Sequence, residues 1–353
     1  MIDAARQAPA DGRLAADEIL RVEGLHTYID TEGGVVRAVD DVSFTLRRGE
    51  ILGLVGESGS GKSVTCRTLM RLMPSPPARS IGTVSYEGFP GRNLLDARGA
   101  ELQRLRGAHL SMIFQDPMSA LNPVMRVGDQ IEEAVASHER LGPRERRRRA
   151  IELLDRVGVP AVERRMRSYP HEFSGGMRQR VLIAAAIASK PRILFADEPT
   201  TALDVIIQDQ ILSLLLELQR DSGMSMVLVS HDLGVIAEMC DRIAVMYAGE
   251  IAELADSVTL LTAPRHPYTI SLLRSLPDSE HRTRYLPSIV GTPPQLIDIE
   301  PGCRFVPRCP LATPECRTWK TQLLPAAGDG QLVRCRRHDE SRRPELWPEQ
   351  SSA

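Results

Sequence analysis

The stretch Gly56-Glu57-Ser58-Gly59-Ser60-Gly61-Lys62-Ser63 is a complete G-x-x-x-x-G-K-[ST] loop. An apolar segment, residues 51–55, precedes it and a helical pattern begins at Val64, so the loop joins a strand to a helix. The glycines let successive N–H groups point at phosphate oxygens, and the helix N-terminus adds positive charge. Lys62 can reach the β- and γ-phosphates, and Ser63 can give its hydroxyl to Mg²⁺. The pattern predicts a nucleoside triphosphate site and disfavours a glycine-rich turn without a ligand.

Length and composition allow one large domain or two in these 353 residues. The chain is 42% hydrophobic and 25% charged, with a net charge of −2. This near balance gives no global attraction to nucleic acid. The longest apolar run, residues 181–188, is too short to span a membrane. Residues 1–16 lack the apolar segment of a signal peptide, so we expect the protein on the cytoplasmic side of the membrane.

Changes in pattern divide the chain into three parts. Residues 1–17 read as a flexible tail, residues 18–262 alternate strands with helices, and residues 263–353 form a proline-rich, cysteine-containing extension. The alternating part predicts a layered α/β domain, with a short hairpin expected near residues 82–86. Within it, residues 116–172 read as an inserted helical subdomain. The arginine run 144–149 favours a solvated helix face over a nucleic-acid patch.

A second apolar segment, residues 192–196, ends in two acids, Asp197 and Glu198. Carboxylates that follow a buried parallel strand lie at the sheet edge where ligands bind in open α/β folds. Asp197 is expected to hold Mg²⁺, and Glu198 to polarise an attacking water. The alternative, a simple cap for the next helix, is weakened by the phosphate loop elsewhere in the chain.

Three further features fit a nucleotide site. Ser174-Gly175-Gly176, followed by Met177, opens a long apolar helix and makes a second anion-binding end, although a plain N-capped helix would look similar. Two anion-binding sites of this kind in one chain suggest a dimer in which the second site of each subunit closes on the nucleotide bound by its partner. His231 follows the apolar strand 226–229 and could contact a γ-phosphate. Gln115 ends another strand and could touch Mg²⁺ and water.

The six cysteines are unevenly distributed. Cys66 and Cys240 lie in apolar helical runs and are expected to be buried hydrophobic residues. The other four crowd the last part of the chain: Cys303, Cys309, Cys316 and Cys335. In a cytoplasmic protein, such clustering favours metal or iron–sulfur ligation over disulfides.

Taken in order, these motifs resemble those of the ATP-binding cassette (ABC) ATPases. Residues 56–63 resemble Walker A, Gln115 the Q-loop, residues 174–176 the signature, Asp197 and Glu198 Walker B with its catalytic glutamate, Thr201-Ala202-Leu203-Asp204 the D-loop, and His231 the switch histidine. Tyr28 occupies the place of the aromatic residue that stacks on adenine. The usual signature is Leu-Ser-Gly-Gly-Gln, and here Phe173 and Met177 replace its ends. The resemblance implies a P-loop NTPase fold with a RecA-like core, an antiparallel β subdomain and an inserted helical subdomain.

The resemblance also implies how the site residues act. Residues 56–63 and Tyr28 would bind ATP, and Ser63, Gln115 and Asp197 would hold Mg²⁺. Glu198 would be the general base, assisted by His231 and Gln115. Residues 174–177 would complete the partner's ATP site. ATP binding would close the dimer and hydrolysis would reset it.

The extension is similar to the C-terminal region of oligopeptide/dipeptide importer ATPases, D-type subunit. The resemblance rests on His266-Pro267-Tyr268-Thr269, Gly302-Cys303-Arg304-Phe305 and Pro307-Arg308-Cys309-Pro310. It implies a peripheral subunit on the cytoplasmic face of the membrane that powers peptide import. Its expected partners are a paralogous ATPase, two permeases and an external substrate-binding protein. Nickel importers share this branch, so nickel or another small solute stays an alternative cargo.

The same resemblance suggests a [4Fe–4S] cluster on the four clustered cysteines. Their spacing is looser than the compact ferredoxin run, so zinc remains the main rival and free thiols a third possibility. A soluble cassette ATPase acting on nucleic acid or ribosomes is a competing class. Such proteins usually carry two cassettes or large insertions, and this chain has neither. The importer-like extension also disfavours an exporter.

Overall fold

Short strands and longer helices alternate along the residues that the computed structural model describes, which are 14–201, 203–275, 289–326 and 330–341. The strands are β1 (Glu18–Thr31), β2 (Gly34–Arg47), β3 (Ile51–Val55), β4 (Ala78–Tyr86), β5 (Leu110–Ile113), β6 (Ile193–Asp197), β7 (Ser225–Ser230), β8 (Arg242–Tyr247), β9 (Glu250–Asp256), β10 (Leu324–Pro325) and β11 (Leu332–Val333).

The helices range from the four residues of α3 and α6 to the 18 residues of α8. They are α1 (Lys62–Leu69), α2 (Gly99–Leu105), α3 (Pro117–Ala120), α4 (Val127–Ala136), α5 (Pro143–Arg156), α6 (Val162–Arg165), α7 (Gly175–Ile187), α8 (Val205–Ser222), α9 (Leu233–Met239), α10 (Ser257–Thr262) and α11 (Pro267–Arg274). Single 3₁₀ turns occur at Leu94–Asp96, Pro170–Glu172, Val306–Arg308 and Pro314–Arg317.

The larger sheet has the order β10-β11-β9-β8-β3-β7-β6-β5. Strands β3, β7, β6 and β5, which run from the middle of this sheet to one edge, are parallel and fully buried. Their near-continuous apolar sequences follow from this, because both faces of the sheet are covered. The carboxyl ends of these strands therefore meet at one edge.

A smaller antiparallel sheet has the order β2-β1-β4. The hairpin of β1 and β2 extends beyond its buried residues, and its outer residues lie at half-buried and exposed positions. The expected hairpin near residues 82–86 was wrong. That segment is the end of the single strand β4, which pairs with β1 from Ala78 to Tyr86.

The inserted helical segment contains α3 to α6, as the sequence predicts, and packs on α7. Helix α5 buries Ala150, Leu153 and Leu154. Within the arginine run, Arg144, Arg147 and Arg148 are exposed, Arg146 and Arg149 are half-buried, and Arg147 pairs with Glu132 of α4. This is the arrangement of a solvated helix face.

The C-terminal extension packs on the β8–β9 side of the larger sheet. Tyr247 of β8, Tyr268 of α11 and Phe305 form a buried aromatic cluster with ring centroids 4.5–5.5 Å apart. Glu253 of β9, fully buried, accepts hydrogen bonds from the backbone N–H groups of residues 265 and 266 and from the Gln331 side chain. Among the described helices, none has the length and apolar character needed to cross a bilayer.

Candidate functional site

The predicted residues converge because they follow parallel strands of the same sheet. The phosphate loop follows β3, His231 follows β7, Glu198 follows β6, and Gln115 lies two residues beyond β5. Since β3, β7, β6 and β5 are neighbours in that order, their carboxyl ends bring these groups to one edge. The topology thus assembles, from four separate segments, the set that the sequence predicts.

Lys62 lies at the centre of the phosphate loop. Its ammonium donates to the carbonyl oxygens of Gly56 at 2.7 Å and Glu57 at 2.9 Å. Burial lowers the pKa of Lys62, while nearby carboxylates, Glu198 first, oppose the shift. Gly61 has φ +103°, and a Cβ there would lie 2.4 Å from the carbonyl oxygen of Ala38, so a side chain is excluded. The loop is therefore closely packed against β2.

Asp197 supplies a buried carboxylate next to this loop. Its Oδ1 accepts a hydrogen bond from the Ser63 hydroxyl at 2.6 Å. Its Oδ2 is buried without a hydrogen-bond partner, and the nearest cation, the Arg67 guanidinium, is 3.9 Å away. Burial raises the pKa of Asp197. An orphaned carboxylate oxygen beside a serine hydroxyl is the donor chemistry that suits a hard cation such as Mg²⁺.

The Glu198 side chain contacts residues that follow two other strands, β5 and β7. Its Oε2 accepts hydrogen bonds from the Gln115 amide at 3.0 Å and the Thr201 hydroxyl at 2.8 Å, and His231 Nδ1 lies 3.5 Å from the same oxygen. The backbone of Glu198 has φ +47°, a left-handed conformation that costs a non-glycine residue about 1–2 kcal/mol. Such strain at an acidic strand end accords with a functional constraint.

Tyr28 lies on β1 and is linked to the phosphate loop through Asp40. The Tyr28 hydroxyl donates to Asp40 Oδ1 at 3.0 Å. The Asp40 backbone N–H donates to Gly249, and the Gly249 N–H donates to Ser60 of the loop, at 2.8 and 2.9 Å. Sequence reasoning missed Asp40, because no local motif marks it.

The Ser174-Gly175-Gly176 segment begins α7 at an exposed position. The Ser174 hydroxyl accepts the N–H of Met177 at 3.4 Å, as an N-cap does. A Cβ on Gly176 would lie 2.6 Å from Ile207 Cγ2, so the start of α7 packs closely on the start of α8. Within the described residues, no hydrogen bond joins residues 174–177 to the phosphate loop. Of the D-loop residues, Ala202 lies outside the described part of the chain.

The four clustered cysteines line one small cavity in the extension, together with His266 and Phe305 among others. Burial raises the thiol pKa to about 11 for Cys303 and to about 12 for Cys309 and Cys335. In the described part of the chain, no three His, Cys, Asp or Glu side chains are arranged to hold a metal ion. The structure therefore gathers the four cysteines but leaves the predicted cluster without support. Cys66 and Cys240 are buried, as expected.

Two residues of the extension reach the phosphate loop, and sequence reasoning missed both roles. Arg308 binds the Glu57 carboxylate, and the Tyr268 hydroxyl accepts the Glu57 backbone N–H. The sequence signal that could have drawn attention to Arg308 is its place in the segment Pro307-Arg308-Cys309-Pro310, which resembles that of importer ATPases.

Comparisons with known proteins agree with this architecture. The ABC transporter family profile matches residues 39–201, and the profile of the oligopeptide/dipeptide transporter C-terminal region matches residues 252–316. The dipeptide transport ATP-binding protein DppD of Escherichia coli (strain K12) is 46% identical over 331 residues, which cover 93% of this chain and 99% of that protein. DppD of Bacillus subtilis (strain 168) is 45% identical over 320 residues, covering 90% and 94%.

Solved structures with the same fold are also ABC cassettes. The ATP-binding cassette MJ0796, in a dimeric post-hydrolysis state bound to ADP and Pi, has a TM-score of 0.60 and 28% identity. The match covers 68% of this chain and 99% of that one. CbiO1 of Clostridium perfringens, part of the transporter complex CbiONQ, has a TM-score of 0.58 and 26% identity, covering 70% and 92%. The chain therefore belongs to the ATP-binding subunits of ABC transporters, in the branch that carries the oligopeptide/dipeptide transporter C-terminal region.

Proposed function

We propose that this chain is the ATP-hydrolysing subunit that powers import of dipeptides and oligopeptides across the cytoplasmic membrane. The observation that carries the proposal is the convergence of Lys62, Asp197, Glu198 and His231 at one sheet edge, with a peptide-transporter-type extension packed beside them. Relatives named as dipeptide transport ATP-binding proteins support the cargo class.

Residues 56–63 would cradle the phosphates of ATP, and Tyr28 would stack on the adenine. Ser63, Gln115 and Asp197 would hold Mg²⁺, which supplies positive charge to the phosphate oxygens when bound. The orphaned Asp197 Oδ2 supports this assignment, because a cation would satisfy it. Lys62, whose ammonium donates to its own loop, can turn its protons to the β- and γ-phosphates.

Glu198 would act as general base toward the attacking water, and His231 would contact the γ-phosphate. Gln115 and Thr201, hydrogen-bonded to Glu198, orient its carboxylate. Residues 174–177, of which Ser174 and Gly175 are exposed, would bind the ATP of a paralogous subunit. In this arrangement two ATP molecules stabilise the closed heterodimer, and closure drives the permeases because ATP binds the closed state more tightly.

The expected partners are therefore the paralogous ATPase, two membrane permeases and an external substrate-binding protein, with this subunit peripheral on the cytoplasmic face. The proposed division assigns residues 18–262 to the nucleotide-binding domain and 263–353 to the extension, with residues 1–17 as a tail. The end of α10 at Thr262 supports the boundary.

The test is ATP-driven uptake by the complex purified through a tag on this chain and reconstituted in vesicles. We expect copurified permeases and uptake of a labelled dipeptide. Glu198→Gln should keep MgATP binding while hydrolysis falls about a hundredfold or more. Uptake of nickel but not of the dipeptide would assign nickel as the cargo. Copurified ribosomal or DNA-repair proteins in place of permeases would contradict transport, and unchanged hydrolysis by the variant would exclude Glu198 as the base.

For the cysteine cavity we propose a [4Fe–4S] cluster held by Cys303, Cys309, Cys316 and Cys335, with zinc as the rival. The proposal rests on the resemblance to the importer branch: all four cysteines line one cavity, but in the described residues no three of them are arranged to hold a metal ion. Anaerobically purified protein should absorb at about 400 nm, and a Cys309→Ser variant should lose that band. Colourless protein with one zinc per chain would decide for zinc, and protein with neither metal would leave four free thiols.

A further inference from the structure

Three buried arginines in the extension each stand next to a clustered cysteine in the sequence. The side chains of Arg304, Arg308 and Arg334 are 6%, 3% and 4% exposed, and their neighbours are Cys303, Cys309 and Cys335. A guanidinium leaves water at such positions only where carboxylates and carbonyls replace its hydration. Each of the three pairs with a carboxylate of the nucleotide-binding part of the chain: Asp40, Glu57 and Asp41, respectively.

Arg308 holds the phosphate loop. Its Nη1 donates to Glu57 Oε2 at 2.6 Å and its Nη2 to Oε1 at 3.0 Å, a bidentate geometry that only arginine provides. The hydrogen bonds to Glu57 raise the pKa of Arg308 above its ordinary value. Tyr268 accepts the Glu57 backbone N–H at 2.9 Å. The second residue of the loop is thus fixed at both its side chain and its backbone by the extension.

Arg304 acts at the opposite end of the site, through Asp40. Its guanidinium forms an ion pair with Asp40 Oδ2 and also donates to the carbonyl of Ala248. The other oxygen, Asp40 Oδ1, accepts the Tyr28 hydroxyl. Burial would raise the pKa of Asp40, but Arg304 and the hydrogen bonds from His26 and Tyr28 outweigh it and lower the pKa. A charged Asp40 held by Arg304 therefore sets the position of the Tyr28 ring.

We infer that Arg304 and Arg308 are positioning residues for ATP, through which the extension sets nucleotide affinity. Arg308 orders the phosphate loop, and Arg304 orders the aromatic residue at the adenine end. The inference rests on the proposed ATP-binding function, and it adds that residues about 250 positions away from the loop prepare it for the ligand. Neither arginine contacts Glu198, Gln115 or His231, so we expect the rate of the hydrolytic step to stay unchanged when either is replaced.

The effects at the phosphate end and at the adenine end of the site can be measured separately with two probes. These are MgATP and magnesium tripolyphosphate, which lacks the base and the ribose. Arg308→Gln should weaken both probes about tenfold. Arg304→Gln should weaken MgATP about tenfold and tripolyphosphate clearly less, because Asp40 reaches the loop only through backbone hydrogen bonds of Gly249 that the variant keeps. Arg317→Gln is the matched control, because Arg317 stands beside the fourth cysteine, Cys316, but is exposed. It should bind both probes with wild-type affinity.

Steady-state kinetics of the full complex give an independent readout. For Arg308→Gln we expect a raised KM for ATP and an unchanged kcat, the pattern of lost ground-state binding. Glu57→Gln breaks the same contact from the loop side, and the double variant Glu57→Gln/Arg308→Gln should be no weaker than either single variant. Arg308→Lys keeps the charge without the bidentate fork and should be intermediate. Circular dichroism checks each fold, and Glu57→Gln replaces Arg308→Gln as the test if the latter does not fold.

The inference is overturned if the wild-type protein binds MgATP and the Arg308→Gln and Glu57→Gln variants bind it equally well. It is also overturned if Arg304→Gln weakens tripolyphosphate as much as MgATP, or if Arg317→Gln weakens either probe as much as the other variants do. A wild-type protein that binds no nucleotide would instead refute the proposed function itself.

Discussion

Asp197 illustrates at the residue scale how a binding site is maintained at the expense of stability. Its side chain is fully buried, one of its oxygens has a single hydrogen bond from Ser63, and the other has none. Removing a carboxylate from water with so few compensating contacts is unfavourable. The folded protein tolerates this because strong packing elsewhere in the larger sheet offsets it, and the cost indicates selection for a ligand at that oxygen.

The first prediction concerns Asp197→Asn. The amide keeps the oxygen that accepts from Ser63 but removes the buried charge, so the nucleotide-free protein should gain about 1 kcal/mol of unfolding free energy. Binding of MgATP should weaken about tenfold or more, whereas binding of ATP in EDTA should change little. Thermal unfolding and calorimetric titration measure the two effects. An equal loss of affinity with and without magnesium would contradict a metal role for this carboxylate.

At the element scale, strand β9 joins the sheet to the extension by pairing with β11 and through buried carboxylates, of which Glu253 makes the most hydrogen bonds. Glu253 accepts the backbone N–H groups of Arg265 and His266 at 2.8 and 2.9 Å, and the Gln331 amide at 2.6 Å. Burial raises the pKa of Glu253, and these hydrogen bonds oppose the rise. Only a carboxylate offers acceptors to all of these donors, because an amide would turn an N–H group toward one of them.

Glu253→Gln should therefore loosen the extension. We expect a loss of about 1–3 kcal/mol of unfolding free energy, the cost of an unsatisfied buried donor, and faster proteolysis after residue 262. Asp256→Asn is the matched control, since Asp256 ends the same strand, is exposed and caps α10, which asparagine also does. That variant should stay within about 0.5 kcal/mol of the wild type. Equal stability of the two variants would show that Glu253 is not the link.

Among the elements of the fold, contacts at the ends of parallel strands can be predicted from the sequence, whereas contacts between distant segments cannot. Asp197, Glu198, His231 and Gln115 could be found because each follows a short apolar strand, and parallel strands share an edge. The contact between Arg308 and Glu57 joins residues 251 positions apart, and no local periodicity encodes such a pair. The outer pairs of the β1–β2 hairpin are not evident from the sequence for a related reason: they are stabilised by pairing with each other rather than by burial.

At the scale of the whole molecule, one surface is incomplete. Ser174 and Gly175 are exposed at the start of α7, and within the described residues no hydrogen bond joins them to the phosphate loop. The neighbouring α8 begins with Val205 and Ile206, which are 81% and 72% exposed. Large apolar side chains beside an exposed helix N-terminus are typical of an interface. The close packing of Gly176 on Ile207 fixes the two helix starts relative to each other, so a partner would meet them as one surface.

The last prediction tests that surface with Val205→Asp and Ile206→Asp. Both positions lie in the first turn of α8, where an added carboxylate is favoured by the helix dipole, so the fold and the subunit's own affinity for ATP should be preserved. ATP-dependent association with the paralogous ATPase should weaken about tenfold or more, because a charge would be buried at the contact. Size-exclusion chromatography with Glu198→Gln as the trapped background measures it. Val258→Asp, at a position 71% exposed in the first turn of α10, is the control and should associate normally. Normal association of the α8 variants would place the partner on another face.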